Sequence, residues 1–239
     1  MTNTPQRCLL VINPNTTTAV SSTLQQAMQA ASPPGVVVQT ATARFGAPYI
    51  SDEASYAVAT HATLDAWFQT LAQNPSPAPD AVVVGCFGDP GLFALRALAP
   101  CPVVGLAEAS LQVAATHGRC AVVTGGAAWR PMLERLFPHL SGGSLVEGVH
   151  TVALTGADIH RNPAAAEDAL VQACWEALDR WPAVGSLVLG GAGLTGLAAR
   201  LQPRVPVPLV DSVLAAVDRV WAQPPGAAAG LPSWWASVV

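Results

Sequence analysis

The stretch Ala81-Val-Val-Val-Gly-Cys-Phe-Gly-Asp-Pro-Gly91 decides the reading of this chain, because a second version occurs downstream as Ser186-Leu-Val-Leu-Gly-Gly-Ala-Gly-Leu194. Each copy is a short apolar run closed by glycine, the pattern of a strand buried on both faces. An alanine- and leucine-rich stretch follows each, and then Pro102-Val-Val or Pro206-Val-Pro-Leu at nearly equal distance. Gly85 aligns with Gly190, and Cys86 with Gly191. A strand-turn-helix-strand unit written twice builds two similar lobes with a cleft between them. A thiol ending one of the two strands suggests proton transfer at carbon, with the thiol on one wall only.

The repeat extends upstream. Cys8-Leu-Leu-Val-Ile-Asn-Pro-Asn15 opens the first half and Cys120-Ala-Val-Val-Thr-Gly-Gly126 the second. Strands are predicted at Cys8–Ile12, Val36–Thr40, Ala81–Gly85, Val103–Gly105, Cys120–Thr124, Ser144–Val149, Ser186–Leu189 and Val207–Val210. Helices are predicted at Thr17–Ala31, Ser51–Gln73, Gly91–Leu98, Glu108–His117, Ala128–Phe137, Pro163–Arg180, Leu194–Leu201 and Asp211–Trp221. Strands alternating with helices mean an α/β fold with parallel, helix-covered sheets. The first lobe is expected to hold 1–105 and 211–239, and the second 106–210, related by an approximate two-fold axis. Beyond Gln223 a loose tail is expected, with Trp234 and Trp235 docking on a surface.

Composition narrows the classes. The 239 residues suffice for one large domain or two small ones, with 51% hydrophobic and 11% charged residues. All 11 basic residues are arginine, and the net charge of −4 without a basic run argues against a nucleic-acid partner. The five cysteines, Cys8, Cys86, Cys101, Cys120 and Cys174, are scattered and odd in number, which points to reduced thiols in a cytoplasmic protein. The apolar run Cys8–Ile12 is too short for a signal peptide. The uncharged stretch from Trp181 to Ala199 is broken by five glycines and reads as a strand and turn, not a membrane span.

In open parallel sheets ligands bind outside the carboxyl ends of the strands. Four such ends here are small or polar: Asn13-Pro-Asn15-Thr16-Thr17, Gly85-Cys86-Phe87-Gly88-Asp89, Thr124-Gly125-Gly126 and Gly190-Gly191-Ala192-Gly193. Backbone N–H groups at such turns can cradle a carboxylate or imide. Cys86 closes a strand just before a helix, where a helix N-terminus is expected to lower its thiol pKa. The other four cysteines read as small buried hydrophobes. Gly191-Ala-Gly193-Leu-Thr-Gly196, with Asp211 at the spacing of a ribose-binding acid, is a formal dinucleotide motif. Its helix is short, and Asp211 has a counterpart in Glu108, so both acids are expected at helix N-termini. The histidines (His61, His117, His139, His150, His160) show no metal spacing.

At these residues the chain resembles the aspartate/glutamate racemase superfamily, most closely its hydantoin racemase branch. The matching pieces are Ile12-Asn-Pro-Asn-Thr16, Gly85-Cys-Phe-Gly-Asp-Pro-Gly-Leu92, Pro102-Val-Val-Gly105 with Glu108-Ala109, and Leu189-Gly-Gly-Ala-Gly193. The resemblance implies a two-lobed fold, no cofactor, and a small carboxylate or hydantoin as substrate. It implies one cysteine on each lobe, exchanging protons with opposite faces of a carbon next to a carbonyl. Cys86 matches the first, and Gly191 stands where the second would be. The resemblance assigns substrate contacts through backbone N–H groups to Asn15, Thr16, Phe87, Gly88, Thr124 and Gly125, and Asn13 and Ala192 flank them. No membrane partner follows from it, and self-association into a homo-oligomer is compatible with it. A related branch, arylmalonate decarboxylase, works with one cysteine in the second half. This chain shows the mirror arrangement, so a one-thiol decarboxylase and a binding protein that kept the site are alternatives.

Overall fold

Val82, Val83 and Val84 are wholly excluded from solvent, and so are Leu187 and Val188 in the second copy. Both runs are interior strands, because side chains apolar on both faces need cover on both sides. A computed structural model describes residues 7–73, 78–154 and 162–225. The chain divides into two compact units, one holding the chain up to Gly105 and resuming at Val217, the other Leu106–Ala216.

In the first unit the elements are β1 (Arg7–Asn13), α1 (Thr18–Ala31), β2 (Val36–Thr42), α2 (Glu53–Gln73), β3 (Ala81–Val84), α3 (Leu92–Leu98) and β4 (Val103–Gly105). Its sheet is parallel, in the order β2-β1-β3-β4. Leu9 through Ile12, Leu24, Met28 and Trp67 fill the core around it. Each such side chain contributes about 1.5–3 kcal/mol by leaving water.

In the second unit α4 (Leu106–Ala114), β5 (Cys120–Gly125), α5 (Trp129–Leu136), β6 (Val146–Val152), α6 (Pro163–Arg180), β7 (Ser186–Gly190), α7 (Leu197–Leu201) and β8 (Leu209–Asp211) follow, and α8 (Ser212–Val220) crosses the unit boundary. The sheet order β6-β5-β7-β8, again all parallel, repeats the first unit's order. Leu170, Cys174 and Ala177 of α6 pack with Ala121, Val123, Leu187 and Leu201 in one cluster. Pro163 opens α6, and the Asn162 side chain accepts the Ala165 N–H at 3.3 Å.

The element boundaries move where glycine or proline intervenes. Gly196 has φ +80°, so the helix expected from Leu194 begins only at Leu197, behind a 3₁₀ turn at Ala192–Leu194. The strand expected at Val207–Val210 becomes Leu209–Asp211, since Pro206 and Pro208 have no N–H to give a ladder. Asp211 ends this strand and, as the sequence predicts, stands at the N-terminus of the next helix, which starts at Ser212. The unit boundary falls inside α8, where the sequence expectation set it at 210/211. The tail with Trp234 and Trp235 and residue His160 lie outside the described residues. No helix among the described residues is long and apolar enough to cross a membrane.

Candidate active site

The carboxyl edge of the first sheet brings the ends of β1 and β3 together. Ile12 pairs with Val84, and the Gly85 N–H donates to the Ile12 carbonyl at 2.8 Å. Asn13 is fully buried and its amide is spent within the loop. Nδ2 donates to Asn15 Oδ1 at 3.1 Å, to the Thr17 carbonyl at 3.1 Å and to Ser21 Oγ at 3.0 Å. Asn13 therefore builds the loop. The Asn15 N–H donates to Asn13 Oδ1 at 3.2 Å, and the Thr16 N–H to the Ala47 carbonyl at 3.2 Å. What this loop leaves to a ligand is the Asn15 side-chain NH₂, which has no acceptor among the described residues, and the Thr16 hydroxyl.

Behind β3 the chain turns through Cys86, Phe87 and Gly88 to Asp89, whose N–H donates to the Cys86 carbonyl at 3.0 Å. The N–H groups of Phe87 and Gly88 meet no acceptor among the described residues. From α2, the Tyr56 hydroxyl donates to the Gly88 carbonyl at 2.7 Å, and Thr63 Oγ1 donates to the Pro90 carbonyl at 2.9 Å. A half-buried thiol beside two uncommitted N–H groups can serve a carbon acid whose oxygen gains negative charge as its proton leaves.

The expected lowering of the Cys86 pKa is overturned. Burial pushes the thiol far above its ordinary range, and the negative charge of Asp89 adds to the rise. The helix whose N-terminus was invoked starts only at Leu92, beyond the whole turn, and is seven residues long.

In the second unit the ends of β5 and β7 pair at Thr124 and Gly190, and Thr124 Oγ1 donates to the Gly190 carbonyl at 2.7 Å. Gly125 abuts the Leu154 carbonyl, leaving no room for a side chain. Gly191 has φ +138°, and its N–H donates to Ser212 Oγ at 3.3 Å. Ala192 opens the 3₁₀ turn, and its carbonyl accepts the Thr195 hydroxyl at 2.6 Å. Asp211 is committed to backbone. Oδ2 accepts the Gly196 N–H at 2.6 Å, and Oδ1 accepts those of Val213 at 2.9 Å and Leu214 at 3.2 Å. An acid so engaged caps α8 and does not await a ribose. His150 pairs with Glu176 at 3.2 Å, and His61 stacks edge-on against Phe45.

Sequence reasoning passed over Asp89 and Ser212. For Asp89 a signal existed, since the Asp-Pro-Gly string after Gly88 has no counterpart in the second copy.

The Asp/Glu/Hydantoin racemase family profile matches residues 9–220. The chain belongs to the Asp/Glu/hydantoin racemase family. It is 32% identical to the hydantoin racemase of Paenarthrobacter aurescens over 212 residues, 87% of each chain. Among solved structures it is similar to allantoin racemase from Klebsiella pneumoniae, at 30% identity and a TM-score of 0.81, covering 91% of this chain and 87% of that one. Arylmalonate decarboxylase shares the fold at 19% identity, with a TM-score of 0.62 over 89% of this chain and 92% of that one. Family membership supports an isomerase of the racemase class and a small-molecule substrate.

Proposed function

We propose that this protein is a cofactor-independent enzyme that makes and protonates a carbanion next to the carbonyl of a hydantoin-type ring or related small carboxylate, with Cys86 as its acid/base. The observation that carries the reading is the Cys86 turn, where the thiol stands beside the uncommitted N–H groups of Phe87 and Gly88. Relatives named as hydantoin and allantoin racemases support the ring chemistry, allantoin being itself a substituted hydantoin.

The step balances through one sulfur. The substrate C–H bond breaks, its electron pair spreads into the carbonyl as an enolate, and the proton passes to the Cys86 thiolate. The reverse step returns a proton to the same face. Gly191 brings no second acid, so exchange outpaces racemisation. In D₂O an enantiopure 5-substituted hydantoin should take up deuterium at C5 above the uncatalysed rate, with slow loss of optical rotation. Cys86→Ala should cut uptake by about 10²–10⁴-fold, at a stability cost of only about 1 kcal/mol. Near-full uptake in that variant overturns the role of Cys86, and no uptake by the wild type leaves a binding protein.

A second reading is decarboxylation of a malonate-type acid, favoured by two observations. Gly191 has a backbone that side chains rarely adopt, and burial holds Cys86 in its thiol form. Loss of CO₂ breaks a C–C bond and leaves the pair on carbon. The thiol then gives its proton to that carbon and regains one from water. Release of CO₂ from arylmalonates with a single-enantiomer product would establish this reading over the first.

A further inference from the structure

The outer edge of the first sheet is covered along only part of its length. β2 is an edge strand. The Gly35 carbonyl accepts the Arg7 N–H at 2.9 Å, and the Ala43 N–H donates to the Asn13 carbonyl at 2.9 Å. Residues of odd number in β2 therefore serve the ladder to β1, and those of even number point away from it. Two glutamines of α1 cover the first even positions. Gln29 Nε2 donates to the Val36 carbonyl at 2.9 Å, and its Oε1 accepts the Val38 N–H at 2.9 Å. Gln25 Nε2 donates to the Val38 carbonyl at 3.3 Å. Thr40 comes next, and its outward backbone N–H and C=O have no partner among the described residues.

A groove of about 330 Å³ lies there, between β2 and α2. That volume is at the lower end of the range for small-molecule sites. Leu10, Ala41 and Ala66 give it an apolar lining. The Gln39 and Gln69 amides also line it, and they hydrogen-bond to nothing among the described residues. Arg44, a further lining residue, is oriented by a buried acid. Asp65, 1% exposed, accepts from Nε at 2.8 Å through Oδ2 and from Nη2 at 2.7 Å through Oδ1. Both Asp65 oxygens are thereby used, and Nη1 with the second N–H of Nη2 remains as another donor fork. The pair sums to no net charge, so the groove offers hydrogen bonds more than electrostatic pull.

We propose that this groove is a second, non-catalytic small-molecule site and that it takes a cyclic cis-amide: a lactam, an imide or a cyclic ureide. Thr40 presents a donor and an acceptor side by side on one residue. A ring amide locked cis carries the complementary pair on one edge. Its C=O accepts the Thr40 N–H, and its N–H donates to the Thr40 carbonyl. A second ring carbonyl finds donors in the Arg44 fork and the glutamine amides. An extended peptide fits less well, because strand addition needs a run of open edge positions and Gln25 and Gln29 close those at Val36 and Val38. A carboxylate gains little, because Asp65 already neutralises Arg44. The site makes no use of Cys86, so it does not depend on the proposed chemistry.

Dimethylation at C5 gives a probe, 5,5-dimethylhydantoin, that keeps the imide edge and has no C5 hydrogen to exchange. Added to the isotope-labelled full chain, it should move the Thr40 N–H resonance downfield, together with the side-chain amides of Gln39 and Gln69, and saturate at millimolar concentration. N-methylsuccinimide keeps two carbonyls without an N–H and should bind about tenfold more weakly. Thr40→Pro deletes the outward N–H and spares the ladder to β1. Gln69→Leu serves if the proline variant fails to fold. Each variant should weaken binding about five- to tenfold, the worth of one hydrogen bond. A Thr40 resonance that the imide leaves unmoved overturns the proposal, as does equal binding of the N-methyl compound. A linear diamide, N-acetylglycine N-methylamide, that moves Thr40 more than the imide does also overturns it, since the edge would then be a strand-addition site. The Phe87 and Gly88 N–H resonances report the Cys86 turn in the same spectra. Their movement with Thr40 unmoved defeats this site and leaves the proposed function standing. Movement of Thr40 with theirs unmoved upholds this site and removes the ligand from the Cys86 turn.

Discussion

The two halves of the chain share a backbone plan and differ in where they put their carboxylate. Both sheets run in the same parallel order, and both turns end on a left-handed glycine that starts a short helix, Gly91 at φ +81° and Gly196 at φ +80°. In the first half the acid sits on the turn, as Asp89, and the strand end opposite is Gly105. In the second half the strand end is Asp211, at the register position of Gly105, and it reaches back to the Gly196 N–H on the turn. Leu194 takes the place of Asp89. Each half buries one carboxylate under the turn, from opposite sides. The acid in the second half caps backbone, and the acid in the first half follows Cys86 by three residues in the same turn. The shared part is what a parallel sheet edge demands, and the exchanged part is where a chemical role can be set.

The largest effect expected from breaking this arrangement is at Gly105. Gly105→Asp would force a second carboxylate into the space that Asp89 fills. Overpacking with like charge should cost about 3 kcal/mol. Adding Asp89→Gly converts the first half to the second half's pattern and should recover most of that loss. Urea unfolding of the single and double variants reads the coupling directly. Strict additivity of the two changes would show that the acids do not exchange places in any energetic sense.

Next in size is Gly191. Restoring a second thiol by Gly191→Cys is attractive from the sequence alone, provided that φ is negative. The observed +138° removes that condition, while the aligned Cys86 keeps a negative φ. Space is not the obstacle, since the nearest atom to a new β-carbon is Leu194 Cγ at 3.9 Å. Backbone strain of about 1–3 kcal/mol is. Gly191→Cys and Gly191→Ala should therefore lose similar stability in thermal unfolding, and the cysteine should be misaimed. Racemisation of an enantiopure hydantoin should stay slow in polarimetry. A fully stable Gly191→Cys enzyme that racemises quickly would show that this backbone relaxes freely.

What the sequence revealed follows the same division. The buried strands were legible because apolar runs closed by glycine have few other readings, and Cys86 stood out because its strand occurs twice. The short α7 and the shifted β8 were not, since a left-handed Gly196 and the prolines at 206 and 208 override the local apolar pattern. The pairing of Asp89 with Gly105 depends on strand register, which no periodicity encodes. Asn13 looked like a ligand group because its type suits one, yet its amide closes its own loop. The direction of the Cys86 shift was missed because burial outweighs a helix that begins too far away.

The smallest difference probes the device both halves share. Gly91 and Gly196 adopt nearly the same left-handed conformation, so alanine at either should cost about 1 kcal/mol through backbone strain. Their surroundings differ. A β-carbon at Gly91 would meet the Thr60 carbonyl oxygen at 3.0 Å and Thr63 Cβ at 3.1 Å, both on α2, whereas one at Gly196 meets nothing within 4 Å. Gly91→Ala should thus be the costlier by about another 1 kcal/mol, because α2 must give way. Moving α2 also moves Thr63 and Tyr56, which hold the Pro90 and Gly88 carbonyls of the Cys86 turn. Gly91→Ala should therefore slow deuterium uptake more than its stability loss implies. Gly196→Ala touches only the second half, whose strand-end turn carries no cysteine, so its loss should be confined to unfolding. Equal midpoints in urea for the two variants would mean that α2 yields without resistance, and the turn's support from that helix would count for little.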